Sequence, residues 1–381
     1  MNALILAMAL GGLSASKLGP HVMSNPADSS AVAVLNECPR LAKWVSRAGE
    51  VTFAIGEFRV RCPGAAVVVR VDVQLPAPYK TSDPAADSAD DYWQRMQSGL
   101  AGLDARWVDW LEGPNEDEAL PGWTQDPVKA AWYAEFWSRL ADRMKQSGFT
   151  PLVGSIPAGE PALRNALEPD SKNLFSPVAE AMKAKAYRWG WSYHAYSRNL
   201  GRNFCNELDN TLRYRKIRDE CGLDGIPIVL SEAAMAAPGW LASGTSNEAY
   251  MQWLRWLDAR AREDSEVVGI GLFQFGDKST ANDFDLANLE DELVAHLRSP
   301  PEPGEPPDPN ACEPTDPTDP TDEDPPSGGS IGAGDGMQPG VWDEGSGCGC
   351  STSTACSLLL LTPLLLPLAR RRRSGLNSIQ R

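Results

Sequence analysis

Between residues 18 and 297 the chain alternates between short apolar runs and longer stretches in which apolar residues recur at helical spacing. That rhythm constrains the fold more than any other feature. The short runs fall at 18–24, 51–55, 66–71, 107–111, 151–155, 190–196, 227–231 and 267–273, and each is predicted to be a strand. Amphipathic helices are predicted over 127–146, 177–187, 206–221 and 246–262; the first of these places Trp132, Phe136, Leu140 and Met144 on one face. A closing helix over 285–297 completes the series. Eight strands joined by helical or loop crossovers are the count of an α/β fold of the (β/α)8 barrel type, the TIM barrel. An open doubly wound sheet would want a glycine-rich phosphate turn after its first strand, and LGPHVMSNPAD supplies none.

The barrel is expected to occupy residues 17–298. From 299 to 344 there are twelve Asp or Glu and no Lys or Arg, with repeated prolines, so this stretch reads as a disordered acidic Pro-rich linker unable to bury a core. Residues 345–381 follow with GSGCGC, Cys356, a Leu-rich run over 357–369 and four arginines at 370–373. The run is short for a standard membrane span of roughly 20 residues, but its basic flank is that of a membrane stop. Residues 1–16 carry an apolar stretch at 3–10 and small residues at 14–16, as an export signal does, without the usual positive leading region. The expectation is a secreted or cell-surface protein, touching membrane only through its tail and otherwise monomeric.

A formal net charge of −16 disfavours attraction to nucleic acid, which is not an expected partner. The eight cysteines, at 38, 62, 205, 221, 312, 348, 350 and 356, show no zinc-site spacing, and the three histidines do not cluster, so no metal is expected. Two local disulfides, Cys38 with Cys62 and Cys205 with Cys221, would suit an exported protein, with separate buried thiols as the alternative. No phosphate loop ending in Gly-Lys-Ser/Thr and no Gly-x-Ser-x-Gly elbow occurs, which sets aside nucleotide and serine-hydrolase chemistry and leaves no cofactor implied.

Barrel active sites lie at the carboxyl ends of the strands, so polar residues there need their own explanation. On strand four, WVDWLEGPNED, alternation places Glu112, Pro114 and Glu116 on one side, although the Gly-Pro break disturbs the alternation after residue 112. On strand seven, IPIVLSEAA, Ile228, Leu230 and Glu232 share a side. Two strand-end glutamates are what glycosidic hydrolysis requires: one to protonate the leaving oxygen, the other to act as nucleophile or as base toward water. A separation of about 5 Å gives retention, and about 6.5 to 9.5 Å gives inversion. On strand six, WGWSYHAYS, His194 and Tyr196 face together; the bland reading is a core histidine beside an aromatic filler.

Thirteen Trp and eight Tyr fit a core and also a sugar-stacking surface. Trp240, in the loop after Glu232, is the best platform candidate, and Phe275 at the end of strand eight is another. Trp191 is as readily turned outward, while Trp132, Phe136 and Trp137 suit helix packing. Glu112 is expected either to pair with an inward Arg70 and tune the site or to form a structural ion pair, and Asp72 has the same ambiguity.

The chain resembles the large glycoside hydrolase clan built on this barrel, clan A, in which an Asn-Glu pair ends strand four and a lone Glu ends strand seven. The matching residues are Asn115 and Glu116 in EGPNED and Glu232 in VLSEAA. The resemblance implies Glu116 as acid/base, Glu232 as nucleophile, Asn115 on the sugar hydroxyl beside the reacting carbon, and retention. With His194 and Tyr196 in the His-x-Tyr arrangement, the catalytic cores acting on β-glucans look nearest, implying a carbohydrate substrate. Two departures are N-E-D in place of the frequent N-E-P, and Gln274 and Phe275 where relatives end strand eight with Trp. Residues 345–373 resemble the sorting tails of secreted myxobacterial proteins, which implies processing and retention at the surface. The rival reading is a noncatalytic carbohydrate-binding or adhesion protein on a barrel scaffold.

Overall fold

The computed structural model describes residues 12–23, 29–123, 126–161, 175–236, 238–276, 281–304 and 312; the apolar stretch at 3–10 and the tail from 345 onward lie outside them. In chain order the elements are β1 (Leu18–Val22), α1 (Ser29–Asn36), β2 (Leu41–Ser46), α2 (Thr52–Arg61), β3 (Ala66–Val71), α3 (Ala85–Gly99), β4 (Trp110–Glu112), α4 (Pro127–Gln146) and β5 (Pro151–Ile156). There follow α5 (Phe175–Lys183), β6 (Gly190–His194), α6 (Phe204–Glu207), α7 (Tyr214–Cys221), β7 (Ile228–Ala233), α8 (Asn247–Arg262), β8 (Val267–Phe275) and α9 (Glu290–Arg298). All eight strands are parallel neighbours in sequence order, and β8 returns to pair with β1, closing the barrel.

Strands covered on both faces should be apolar on both faces, and these are. On β3, Val67, Val69 and Val71 pack outward with the helices. Val68, turned the other way, joins Leu41, Trp110, Leu152 and Val229 in an apolar plug inside the barrel. Two residues further along the same strands the inward side changes character, to Lys43, Arg70 and Glu112, all buried. Helix α4 forms as its sequence predicts: Asp126 caps it by accepting from Val128 N and Lys129 N, Pro127 begins it, and Trp132, Tyr133, Phe136, Trp137, Leu140 and Met144 are buried along one side.

The second strand departs from expectation. The run at 51–55 lies in and before α2, where Ile55 and Phe58 are buried at helical spacing. The true strand, β2, contains Lys43, and a lysine in mid-run hides a strand unless a counter-charge inside the barrel awaits it. The helix expected over 206–221 is two helices, α6 and α7, the second ended by Gly222 at φ +59°. The closing helix starts later than expected, at Glu290, after two short 3-10 turns.

Cys38 and Cys62 are bonded, joining the segments after α1 and α2. The second expected bridge is corrected: Cys205 bonds to Cys312, 107 residues on, while Cys221 is a buried thiol on α7, 3.5 Å from Ser176 of α5. Cys312, within the stretch read as linker, is thus covalently tied to the barrel. Ser14 and Ser16, in the segment read as a leader, are buried; Ser14 Oγ donates to Leu297 O at 2.6 Å.

Candidate active site

Strand β4 ends at Glu112, and the chain then leaves the sheet through Gly113, where a Cβ would come within 2.4 Å of the Trp137 ring. Glu116 takes φ +40°, the left-handed region, which costs a non-glycine residue of order 1 kcal/mol. Its carbonyl is held by Trp123 Nε1 at 3.1 Å, and Asn115 N donates to Glu118 Oε2 at 2.9 Å. The Gly-Pro break therefore ends the strand parity, and a strained turn, not alternation, delivers Glu116 to the barrel mouth.

Glu116 Oε1 lies 2.7 Å from His194 Nδ1, at the end of β6. The same nitrogen is 3.7 Å from Glu232 Oε2, at the end of β7. Those contacts, 2.7 Å and 3.7 Å, limit the gap between the two carboxylate oxygens to at most their sum, 6.4 Å. Tyr196 OH donates to Glu232 Oε2 at 2.9 Å. The other oxygen, Oε1, faces Lys43 Nζ at 3.1 Å, His21 Nδ1 at 3.8 Å and Arg70 Nη2 at 3.9 Å. Lys43 also reaches Glu112 Oε2 at 2.7 Å, so the ion pair that Glu112 makes inside the barrel is with the lysine of β2.

Burial pushes the Glu232 carboxyl up, but His194, Lys43, His21 and Arg70 together outweigh it and hold the group well below the ordinary glutamate range. Glu112 is likewise lowered: burial raises it, and Lys43 and His194 reverse the sign. Burial, with Lys43 beside it, drives His21 well below the usual histidine range, so this ring is neutral at neutral pH. Burial and the charges of Glu232 and Glu116 push the Tyr196 phenol well up, so it remains a donor. Asn115 Oδ1 is buried without a hydrogen-bond partner.

The structure brings Glu116, Glu232, His194, Tyr196, Arg70 and Glu112 into one network, leaves the side-chain oxygen of Asn115, next to Glu116 in the chain, without a partner, and keeps Trp240 and Phe275 out of it. Trp240 is 1% exposed and stacks on Tyr250 of α8, with ring centroids 4.9 Å apart, so it is core and not a sugar platform. Phe275 is fully buried in the layer between sheet and helices. At the rim formed by the carboxyl ends of the strands, Phe273 and Phe284, each 8% exposed, cluster with Met23, Val45, Ala234 and Tyr196. Trp191 faces the helix layer, beside Phe175. Asp72 pairs with Arg47 at 2.8 Å. Sequence reasoning missed His21 and Lys43; the inward alternation Leu41, Lys43, Val45 was the signal for the second. Among the described residues no group of His, Cys, Asp and Glu could hold a metal ion.

No protein-family profile matches the chain, and no curated protein does. Among solved structures it is similar to a glucosidase from Croceicoccus marinus, with 11% identity and a TM-score of 0.50 over 74% of this chain and 68% of that one. The fold is similar to that of glycoside-hydrolase barrels. A β-glucuronidase from an uncultured Clostridium species (10% identity, TM-score 0.41, 74% of this chain and 50% of that one) also matches. So does XacCel5A in complex with cellopentaose (10% identity, TM-score 0.42, 74% and 99%).

Proposed function

We propose that the protein is a retaining glycoside hydrolase acting on a polysaccharide of the β-glucan class, with Glu116 as acid/base and Glu232 as nucleophile. The observation that carries this reading is the meeting of two strand-end carboxylates on one histidine, His194, which keeps their nearest oxygens within 6.4 Å, the sum of 2.7 Å and 3.7 Å. A limit of that size admits the retaining arrangement, in which the two carboxyl groups stand about 5 to 5.5 Å apart.

In the first step an oxygen of Glu232 attacks the anomeric carbon. The glycosidic C–O bond breaks, its electrons stay with the leaving oxygen, and Glu116 supplies the proton. The product is a sugar ester on Glu232 and an ionised Glu116. In the second step Glu116 takes a proton from water, the hydroxide oxygen displaces Glu232, and both carboxyls return to their starting states. His194 can serve both states of Glu116, with Nδ1 accepting from the protonated carboxyl or donating to the ionised one. Tyr196 orients Glu232 by donating to Oε2. Asn115 Oδ1 is placed to accept from a sugar hydroxyl. The cationic surroundings of Glu232 keep it ionised, as a nucleophile must be.

The test is reducing-end release from a panel of β-glucans by the wild type, E116Q and E232Q; equal rates for all three would overturn the assignment. We also propose export to the cell surface, which the two disulfides support. Equal membrane association of the full chain and a form ending at Glu344 would reject anchoring by the tail.

A further inference from the structure

Two carboxylates inside the barrel share one cation. Lys43 has no solvent exposure and stands 2.7 Å from Glu112 Oε2 and 3.1 Å from Glu232 Oε1. Glu112 is also fully buried, so it cannot touch a substrate, and the acid/base pair has no use for it. Its place is explained by what happens to the lysine during the reaction. When a Glu232 oxygen forms its bond to the anomeric carbon, the carboxylate becomes a neutral ester and Lys43 loses one of its two counter-ions. A buried ammonium left alone is strongly unfavourable. With Glu112 in contact, Lys43 never stands alone.

Resting on the retaining reading above, we infer that Glu112 is a positioning residue: it holds Lys43 against Glu232 and keeps that lysine paired while Glu232 is consumed as an ester. The other groups facing Glu232 cannot take over this role. His21 and His194 lie 3.8 Å and 3.7 Å away, Arg70 lies 3.9 Å away, and Tyr196 is a neutral donor. Glu116, the remaining anion, reaches Glu232 only through His194.

The inference has a readout that a purely structural role would not move. In E112Q the shape of the side chain is kept and Lys43 is left to Glu232 alone. The ionised nucleophile is then overstabilised: kcat should fall about 10- to 100-fold with KM nearly unchanged, and the acid limb of the pH profile should move to lower pH. In the K43M/E112M double variant both buried charges are replaced by apolar groups, which a core tolerates better than removal of one partner, and the acid limb should move to higher pH. The Glu232 carboxyl can be followed directly in glutamate-labelled protein by carbon-13 NMR, its signal assigned by its loss in E232Q. It should titrate at lower pH in E112Q than in the wild type, and at higher pH in the double variant. Identical titration of Glu232 in all three proteins overturns the inference, whether or not they cleave a glycan. A wild type inactive on every glycoside, with the titrations displaced as stated, overturns the hydrolase reading instead.

Discussion

The barrel buries two sets of charge at its two ends, built from the same residue types. At the amino-terminal end, below β1 and β8, Asp258 Oδ1 accepts from Lys17 N at 2.7 Å, and its Oδ2 meets His296 Nε2 at 2.9 Å and Arg262 Nε at 3.3 Å. Lys17 Nζ donates to the carbonyls of Asp264 and Val267, at 2.5 Å and 2.6 Å. At the carboxyl-terminal end the set is Lys43, Glu112, Glu232, His21 and His194. There both nitrogens of His21, Nε2 of His194 and Oδ1 of Asn115 are buried without a hydrogen-bond partner, whereas in the first set only Arg262 Nε is. A satisfied polar set fastens elements together; an unsatisfied one is held in place by its surroundings for something else to complete. On the proposed reading, that difference puts stability at one end and chemistry at the other.

The sharpest way to break that division is to exchange the expected losses. E116Q and E232Q should each lower kcat by about a thousandfold or more; E116Q should leave thermal unfolding close to wild type, and E232Q should lose the stability that the ionised Glu232 draws from its cations. D258N should do the reverse, with a loss of about 3 kcal/mol in denaturant unfolding, because Lys17, His296 and Arg262 lose their shared counter-charge, and a nearly normal kcat for the folded fraction. An inactive D258N protein of normal stability would merge the two ends into one functional unit.

The aromatic residues divide the same way, with a smaller expected effect. Trp240→Ala opens a core site and should cost about 3 to 5 kcal/mol with KM unchanged. Phe284→Leu, in the rim beside Tyr196 and Phe273, should instead raise KM several-fold at a small cost in stability, if the proposed site extends over this cluster. Binding measured on both variants decides which residue meets the substrate. An unchanged KM in Phe284→Leu would remove the rim from the site.

These contrasts mark how far the sequence could be read. That Glu116, Glu232, His194 and Tyr196 meet was legible because strand ends in a closed barrel converge on one mouth whatever the details between. Lys43 was not, because a strand interrupted by a lysine looks like a loop until the carboxylates facing it are known; with β2 misplaced, the partner of Glu112 could not be named. Trp240 and Phe275 were misassigned for a related reason. Phe275 lies on the outward side of β8, and only the packing of α8 reveals that Trp240 stacks on Tyr250. The Cys205–Cys312 bond joins residues 107 apart, a separation that local spacing does not encode.

The two ends should also differ in the pH window of their response, acid at one and alkaline at the other, although stability rises with pH in both. Glu112 and Glu232 are held below the ordinary glutamate range, so the folded protein binds fewer protons than the unfolded chain as pH falls through that range. Their contribution is complete above an ordinary glutamate value of about 4.3, declines below it, and is lost once pH passes their lowered values. K43M/E112M, which removes Glu112 and frees Glu232 from its nearest cation, should lose less stability on acidification than the wild type, by about 3 °C in Tm between pH ~5 and ~3. Parallel acid melting curves would show that the pair is not coupled to folding.

At the other end the relevant group is a lysine, and the window lies on the alkaline side. Burial lowers Lys17 from 10.5 to about 8; Asp264 and Asp258 pull upward and Arg40 downward, without restoring the ordinary value. Because the folded value is the lower one, the folded protein releases this proton first, and between about 8 and 10.5 the unfolded chain carries more protons. Stability should therefore rise with pH in that window, the opposite of a lysine stabilised by an ion pair. The tyrosines oppose this trend only above their unfolded value near 10, since burial raises Tyr193 and Tyr250 well above it. Comparing the wild type with Lys17→Met from pH ~7 to ~10 cancels such shared terms. The difference in Tm should move in favour of the wild type by about 2 °C as pH rises. A constant difference would mean that Asp258 and Asp264 already balance the burial of Lys17, making the floor an ion pair like the one at the mouth.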